Sequence, residues 1–189
     1  MRTIIIQRHA DALEGPVDAD RPLSEVGWAQ AKKVQAKLAE RGAAYRADVT
    51  FSSPARRARE TAIADGPNPS QLVILPILYP FGFSPDLDKL FELELPDDSP
   101  RTYLKHDPQG LLLSWAKHAR VDIADWCIDE GKTDSIVRLV FHAPVATFLA
   151  LKIVGDRNQA SREKLLDLDL GKGACIVIDE RKAVEIIEP

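Results

Sequence analysis

The sequence is poor in cysteine, with only Cys127 and Cys175 among 189 residues. Neither belongs to a CxxC or metal-spaced pattern, which excludes a disulfide framework and a thiolate metal site. Cys175 sits in the apolar run Ala174–Ile178 and reads as a small buried hydrophobe. Long apolar runs are missing too, since no stretch approaches the roughly 18 residues of a membrane span. At the N-terminus only three consecutive isoleucines precede the return of charge, too few for the apolar core of a secretory signal. The chain is therefore expected to be soluble and cytoplasmic, with no membrane partner. Positive charge is not in excess either: 25 Lys and Arg face 29 Asp and Glu, a formal net charge of -4. Such a balance creates no field to collect nucleic acid. An anionic ligand would have to be drawn in by a local cluster of positive charge.

What the sequence does contain is an ordinary globular composition, 45% hydrophobic and 29% charged. The length suits one domain over residues 1–189 carrying one inserted segment, long enough to bury roughly 70% of its unfolded surface. Strand-like and helix-like segments alternate, which predicts a layered α/β architecture. Thr3–Gln7 is a β-branched run suited to a central strand. A helix is predicted from Ser24, with Trp28, Ala31, Gln35 and Leu38 on its inner stripe and Gly42 as its stop. Strands are predicted over 48–52, 72–75 and 136–141. Ser53-Pro54 reads as a helix start with Ser53 as N-cap. Further helices are expected over 109–129, with Leu112, Trp115, Ala119 and Trp126 inward, and over 144–154. The segments 174–179 and 183–187 end the chain as a hairpin or a pair of strands.

Between Pro76 and Pro108 the texture changes. Six prolines and three phenylalanines, Phe81, Phe83 and Phe91, interrupt any regular period. This segment is expected to be an excursion with a short helix near 86–90, its phenylalanines forming a satellite core. Asp97 and Asp98 read as a solvated turn.

Three constellations carry chemistry. Arg8-His9 ends the first strand, Arg57 lies one turn into the helix after the second, and His142 ends the fourth. Ligands of open α/β sheets bind beyond the carboxyl ends of the strands. Helix N-termini close by offer unpaired N–H groups to an anion. Guanidinium forks match a phosphate in both charge and shape. At about 100° per residue, Arg57 shares a helix face with Thr61, while Arg56 and Arg59 point elsewhere. The four histidines, 9, 106, 118 and 142, show no close metal-ligand spacing, so neither a metal nor another cofactor is expected.

QRHADA (7–12), DRPLSEVGWAQA (20–31), SSPARRARETA (52–62) and FHAP (141–144) resemble, in order, the motif set of the histidine phosphatase superfamily. The resemblance is greatest to small bacterial phosphohistidine phosphatases of the phosphoglycerate mutase-like branch. It implies a three-layer α/β/α sandwich with a central, mostly parallel mixed sheet. It also implies that His9 is the nucleophile accepting the phosphoryl group, with Arg8, Arg57 and His142 completing the phosphate pocket. Arg21, in the DRPL segment, would line the mouth or else pair with Asp18 or Asp20. The implied activity is metal-independent hydrolysis through a phosphohistidine enzyme. The implied substrate is a phosphohistidine protein or a small phosphorylated metabolite. Non-catalytic phosphate or partner binding is the alternative from another class, and a phosphosugar mutase a lesser one.

Two departures stand out. Glycine usually precedes the second histidine of the family, and here the residue is Phe141; its ring must turn into the core or narrow the site. No carboxylic acid aligns with the proton donor of the broad phosphatases and mutases. Asp86, Asp88, Glu92 and Glu94 are the carboxyl groups on offer, all within the 76–108 segment.

Overall fold

The computed structural model describes residues 3–64, 72–156 and 158–189. Six strands form one sheet: β1 (Ile4–Arg8), β2 (Val49–Ser52), β3 (Leu72–Ile74), β4 (Val137–Phe141), β5 (Cys175–Ile178) and β6 (Val184–Ile187). Their order is β3-β2-β4-β1-β5-β6. The first four are mutually parallel, and β5 and β6 complete the sheet antiparallel. The helices are α1 (Glu25–Glu40), α2 (Arg56–Ile63), α3 (Pro85–Phe91), α4 (Pro100–Leu104), α5 (Leu111–Asp129), α6 (Val145–Val154) and α7 (Gln159–Leu166).

Because successive side chains leave a strand on opposite faces, the apolar run of β1 feeds two cores. Ile4 and Ile6 join the larger core, which includes Trp115 of α5 and Phe148 of α6. Ile5 joins Val34 and Leu38 of α1, with Val177 and Ile187. The 76–108 segment is built into the larger core through buried Leu78, Leu87, Leu90 and Tyr103. Phe83 and Phe91 pack on that same core rather than forming a satellite, and Phe81 is exposed. Asp98 is not merely solvated either, since its carboxylate pairs with Arg8 at 3.2 Å. Helices α4 and α7 were not expected from the sequence.

Two local features place the site. Ser24 caps α1, its Oγ accepting from Gly27 N at 3.0 Å and donating to Asp11 Oδ2 at 2.7 Å. The turn after β1 therefore rests on the first turn of α1, and Gly27 permits the approach. A Cβ there would lie 1.9 Å from the Asp11 carbonyl oxygen. Gly27→Ala is expected to cost about 2–3 kcal/mol through overpacking, despite alanine's better helix propensity. A thermal melt checks this, and unchanged stability would mean that the turn moves freely.

The second feature concerns Ser53, which does not cap α2. The chain bends at 54–55, Ala55 still has extended backbone angles, and the helix begins at Arg56. Ser53 Oγ instead meets His142 Nε2 at 2.9 Å and accepts from Ala55 N at 3.3 Å.

Candidate active site

Sheet pairing assembles the site. The backbone N–H of His9 donates to the Phe141 carbonyl at 2.8 Å, and that of Ser53 donates to the Val140 carbonyl at 3.0 Å. Three neighbouring strands, β1, β4 and β2, thus deliver His9, His142 and Ser53 at one edge. The two imidazole rings stand 5.1 Å apart, edge to face. Phe141 turns away from them into the larger core, 6.0 Å from the Trp115 ring, so it does not narrow the site.

Arg57 reaches the same edge from α2. Its helix face is fixed by Thr61, whose Oγ1 donates to the Arg57 carbonyl at 2.7 Å and accepts from Ala10 N at 3.0 Å. Behind α2 lies Arg138, fully buried in β4. Its guanidinium donates to Gln7 Oε1 at 2.6 and 3.1 Å, to the Ala62 carbonyl at 3.2 Å and to the Thr61 carbonyl at 3.3 Å. The Gln35 side-chain amide lies against the same guanidinium, and with its oxygen turned inward it accepts at 2.6 Å. One charged side chain thus ties β1, β4, α1 and α2 together beneath the site.

The hydrogen bonds settle where protons sit. His9 Nδ1 lies 2.8 Å from the Ala10 carbonyl, which can only accept, so the proton is on Nδ1. The Nε2 lone pair is left facing Arg57, whose Nε donates to it at 3.1 Å. Burial, with help from the charges of Arg57 and Arg8, lowers the His9 pKa to about 3. His142 is held well below its ordinary value by burial and by its charged neighbours. Its Nδ1 faces Arg57 Nη2 at 3.3 Å and accepts, which leaves Nε2 to donate to Ser53. In this state His142 is a neutral acceptor.

Both imidazoles titrate near 6.5 in the unfolded chain. Below that pH the unfolded state binds more protons than the folded one, so stability falls as pH drops. The contribution is complete above 6.5 and is lost progressively toward about 3. Urea midpoints measured between about pH 7.5 and about pH 5 are expected to decline, with a shallower decline in His9→Gln. Parallel curves would show that His9 is not held neutral.

Arg57 is also occupied by Asp18, a residue the sequence offered only as a partner for Arg21. Arg57 Nη2 pairs with Asp18 Oδ2 at 2.7 Å, and Nη1 donates to the Asp18 carbonyl. Tyr79 donates its hydroxyl to the same Oδ2 at 3.1 Å. Arg21 holds the other carboxylate oxygen at 3.2 Å and also pairs with Glu14 at 3.1 Å. Arg21 therefore lies one residue removed from Arg57, through Asp18. The Arg8 side chain is directed elsewhere: Nη1 donates to the Leu170 carbonyl at 2.7 Å, and Nη2 pairs with Asp98. It acts on the two histidines through its charge. Its Nε is buried without a hydrogen-bond partner.

Asp86 pairs with Lys89, and Asp88 accepts from Gly82 N, both on the surface around α3. Glu92 and Glu94 are exposed. Among the described residues, Asp18 beside Arg57 and Asp98 beside Arg8 are each paired with an arginine, and Asp11, two residues after His9, pairs with Lys172 and accepts from Ser24. Burial of Asp18 opposes ionisation, yet its bonds to Arg57 and Tyr79 hold its pKa below the ordinary value. Such a group accepts protons poorly and, at neutral pH, has none to donate. Among the described residues, no group of three or more His, Cys, Asp and Glu converges as a metal site would require.

The sequence pattern of the histidine phosphatase superfamily (branch 1) matches residues 4–85. A search of curated protein sequences gives no match. Among solved structures, a protein assigned as the phosphohistidine phosphatase SixA of Agrobacterium tumefaciens is similar, at 22% identity and a TM-score of 0.60. That alignment covers 100% of this chain and 99% of the other. The protein histidine phosphatase SixA complexed with tungstate aligns at 19% identity and a TM-score of 0.58, over 98% of this chain and 94% of that one. A phosphoserine phosphatase of Entamoeba histolytica, in complex with 3-phosphoglyceric acid, aligns at 18% identity and a TM-score of 0.62, over 100% and 96%. Residues 4–85 thus match the histidine phosphatase superfamily (branch 1), and the whole chain shares its fold with solved phosphatases.

Proposed function

We propose that this protein is a phosphatase that passes the phosphoryl group through His9, with phosphohistidine on a protein as its substrate class. The observation that carries this reading is a neutral imidazole, its proton fixed on Nδ1 by Ala10 and its Nε2 lone pair beside Arg57. In the first step Nε2 bonds to phosphorus as the substrate's P–N bond breaks, and the leaving nitrogen takes a proton from water. In the second step water attacks phosphorus and the electron pair of the P–Nε2 bond returns to Nε2, releasing orthophosphate. Arg57 stabilises the charge on the equatorial oxygens, His142 joins it once its Nε2 hydrogen turns from Ser53, and Arg8 contributes through its charge alone. The scheme calls on no metal.

The substrate class follows from the missing acid. An alkoxide leaving group needs a positioned proton donor, whereas an imidazole is a far better leaving group. The described carboxylates around the site are committed, Asp18 and Asp98 to arginines and Asp11 to Lys172. A phosphohistidine peptide is therefore expected to be turned over with a kcat/KM about 100-fold above that of the matching phosphoserine peptide. Equal rates on the two peptides would overturn this assignment and favour a small phosphomonoester.

A further inference from the structure

Arg57 has little left to offer a substrate as it stands. Its Nε is committed to His9, its Nη1 to the Asp18 carbonyl, and its Nη2 to Asp18 Oδ2 and His142 Nδ1. The oxygen on its Nη2 belongs to a carboxylate, an anion of the same sign and hydrogen-bonding character as a phosphoryl oxygen. That carboxylate is not locked in place. Its side chain is 43% exposed and belongs to the short 3-10 turn Asp18–Asp20. Its second oxygen already rests on Arg21.

We infer that Asp18 is an internal competitor for the phosphate pocket: its carboxylate occupies Arg57 when the pocket is empty, yields to the entering phosphoryl group, and returns as orthophosphate leaves. This rests on the reading of Arg57 as a phosphate-binding group. Arg21 makes the exchange inexpensive, because the displaced carboxylate keeps one ion pair while it gives up the other. Tyr79 works in the opposite direction, its hydroxyl holding Asp18 against Arg57. The carboxylate also keeps the guanidinium pressed on His9 Nε2, so releasing Asp18 frees the nucleophile's lone pair together with the anion-binding edge. Asp18 is thus a specificity-determining residue that limits affinity for free phosphate.

The test is calorimetric titration of the full chain with inorganic orthophosphate, beside thermal melts to verify folding. Asp18→Asn removes the competing charge and is expected to bind orthophosphate about tenfold more tightly than the wild type. Asp18→Glu keeps the charge and is expected to stay within about threefold of wild type. Tyr79→Phe weakens the hold on the carboxylate and should tighten binding by a smaller factor than Asp18→Asn. Orthophosphate should likewise become a stronger product inhibitor of Asp18→Asn. Binding by Asp18→Asn that is equal to or weaker than wild type would overturn the inference, making Asp18 a support that orients Arg57. If neither wild type nor Asp18→Asn binds orthophosphate, the phosphate-pocket reading falls, and the inference with it.

Discussion

His9→Ala is expected to lower p-nitrophenyl phosphate hydrolysis by about 10⁴-fold or more, with EDTA present throughout. This substrate carries a leaving group good enough to depart without a proton donor, so the committed carboxylates at the site do not hide the activity. The expected size reflects the loss of the covalent route and not of binding alone. Arg57 and His142 would still border the phosphoryl group, but the attacking atom would be gone. The variant should therefore bind orthophosphate while failing to turn over. Loss of turnover in His9→Ala and retention in EDTA-treated wild type together identify a metal-free histidine nucleophile. A mutant retaining a tenth of the wild-type rate would remove His9 from that role. A folded wild type silent on this substrate and on phosphohistidine peptides would point to phosphate or partner binding without catalysis.

The largest effect on stability is expected at Arg138. Its guanidinium is buried with only neutral oxygens around it, and burial lowers its pKa to about 10. Arg138→Ala would leave Gln7 Oε1 without its donor, would remove the bonds to the carbonyls of Thr61 and Ala62, and would open a cavity between β4 and α2. We expect a loss of about 3–5 kcal/mol, seen as a fall in Tm of about 10 °C. Arg138→Met restores most of the volume but none of the donors, and should recover only part of the loss. Because Thr61 also fixes the Arg57 face of α2, activity in Arg138→Met should fall through kcat at temperatures where the variant is folded. A change below about 1 kcal/mol in Arg138→Ala would show that these oxygens find water instead.

Much of this architecture was legible in residue order. The isoleucines of β1, the Ser24 cap and the Gly42 stop of α1 are local signals, and the structure uses them as local chemistry predicts. Arg57 was separable from Arg56 and Arg59 by the resemblance of SSPARRARETA to the family motif, with helix period placing it on one face with Thr61. What stayed hidden depends on contacts across the fold. Ser53-Pro54 looks like a helix cap, but the Ser53 hydroxyl is engaged by His142, 89 residues away. Asp18 looks like one surface acid among several until Arg57 is brought against it. Helix α7 has only Ser161 and Leu165 buried, too few to print an apolar period. Arg138 leaves one signal in the sequence, a lone charge inside the apolar run Val137–Phe141.

The strand order has a consequence for how the molecule is made. Strand β4 lies between β1 and β2 and joins them, yet it is synthesised last of the three, after more than two-thirds of the chain. Until then the two early strands have no common neighbour, and each exposes an unpaired edge. Their pairing partners are separated by long stretches of sequence, the kind of topology that folds slowly. A nascent chain of this protein therefore passes through an extended interval with sticky edges and no assembled catalytic centre. The residue that completes the proposed pocket, His142, emerges directly behind the strand that ends that interval.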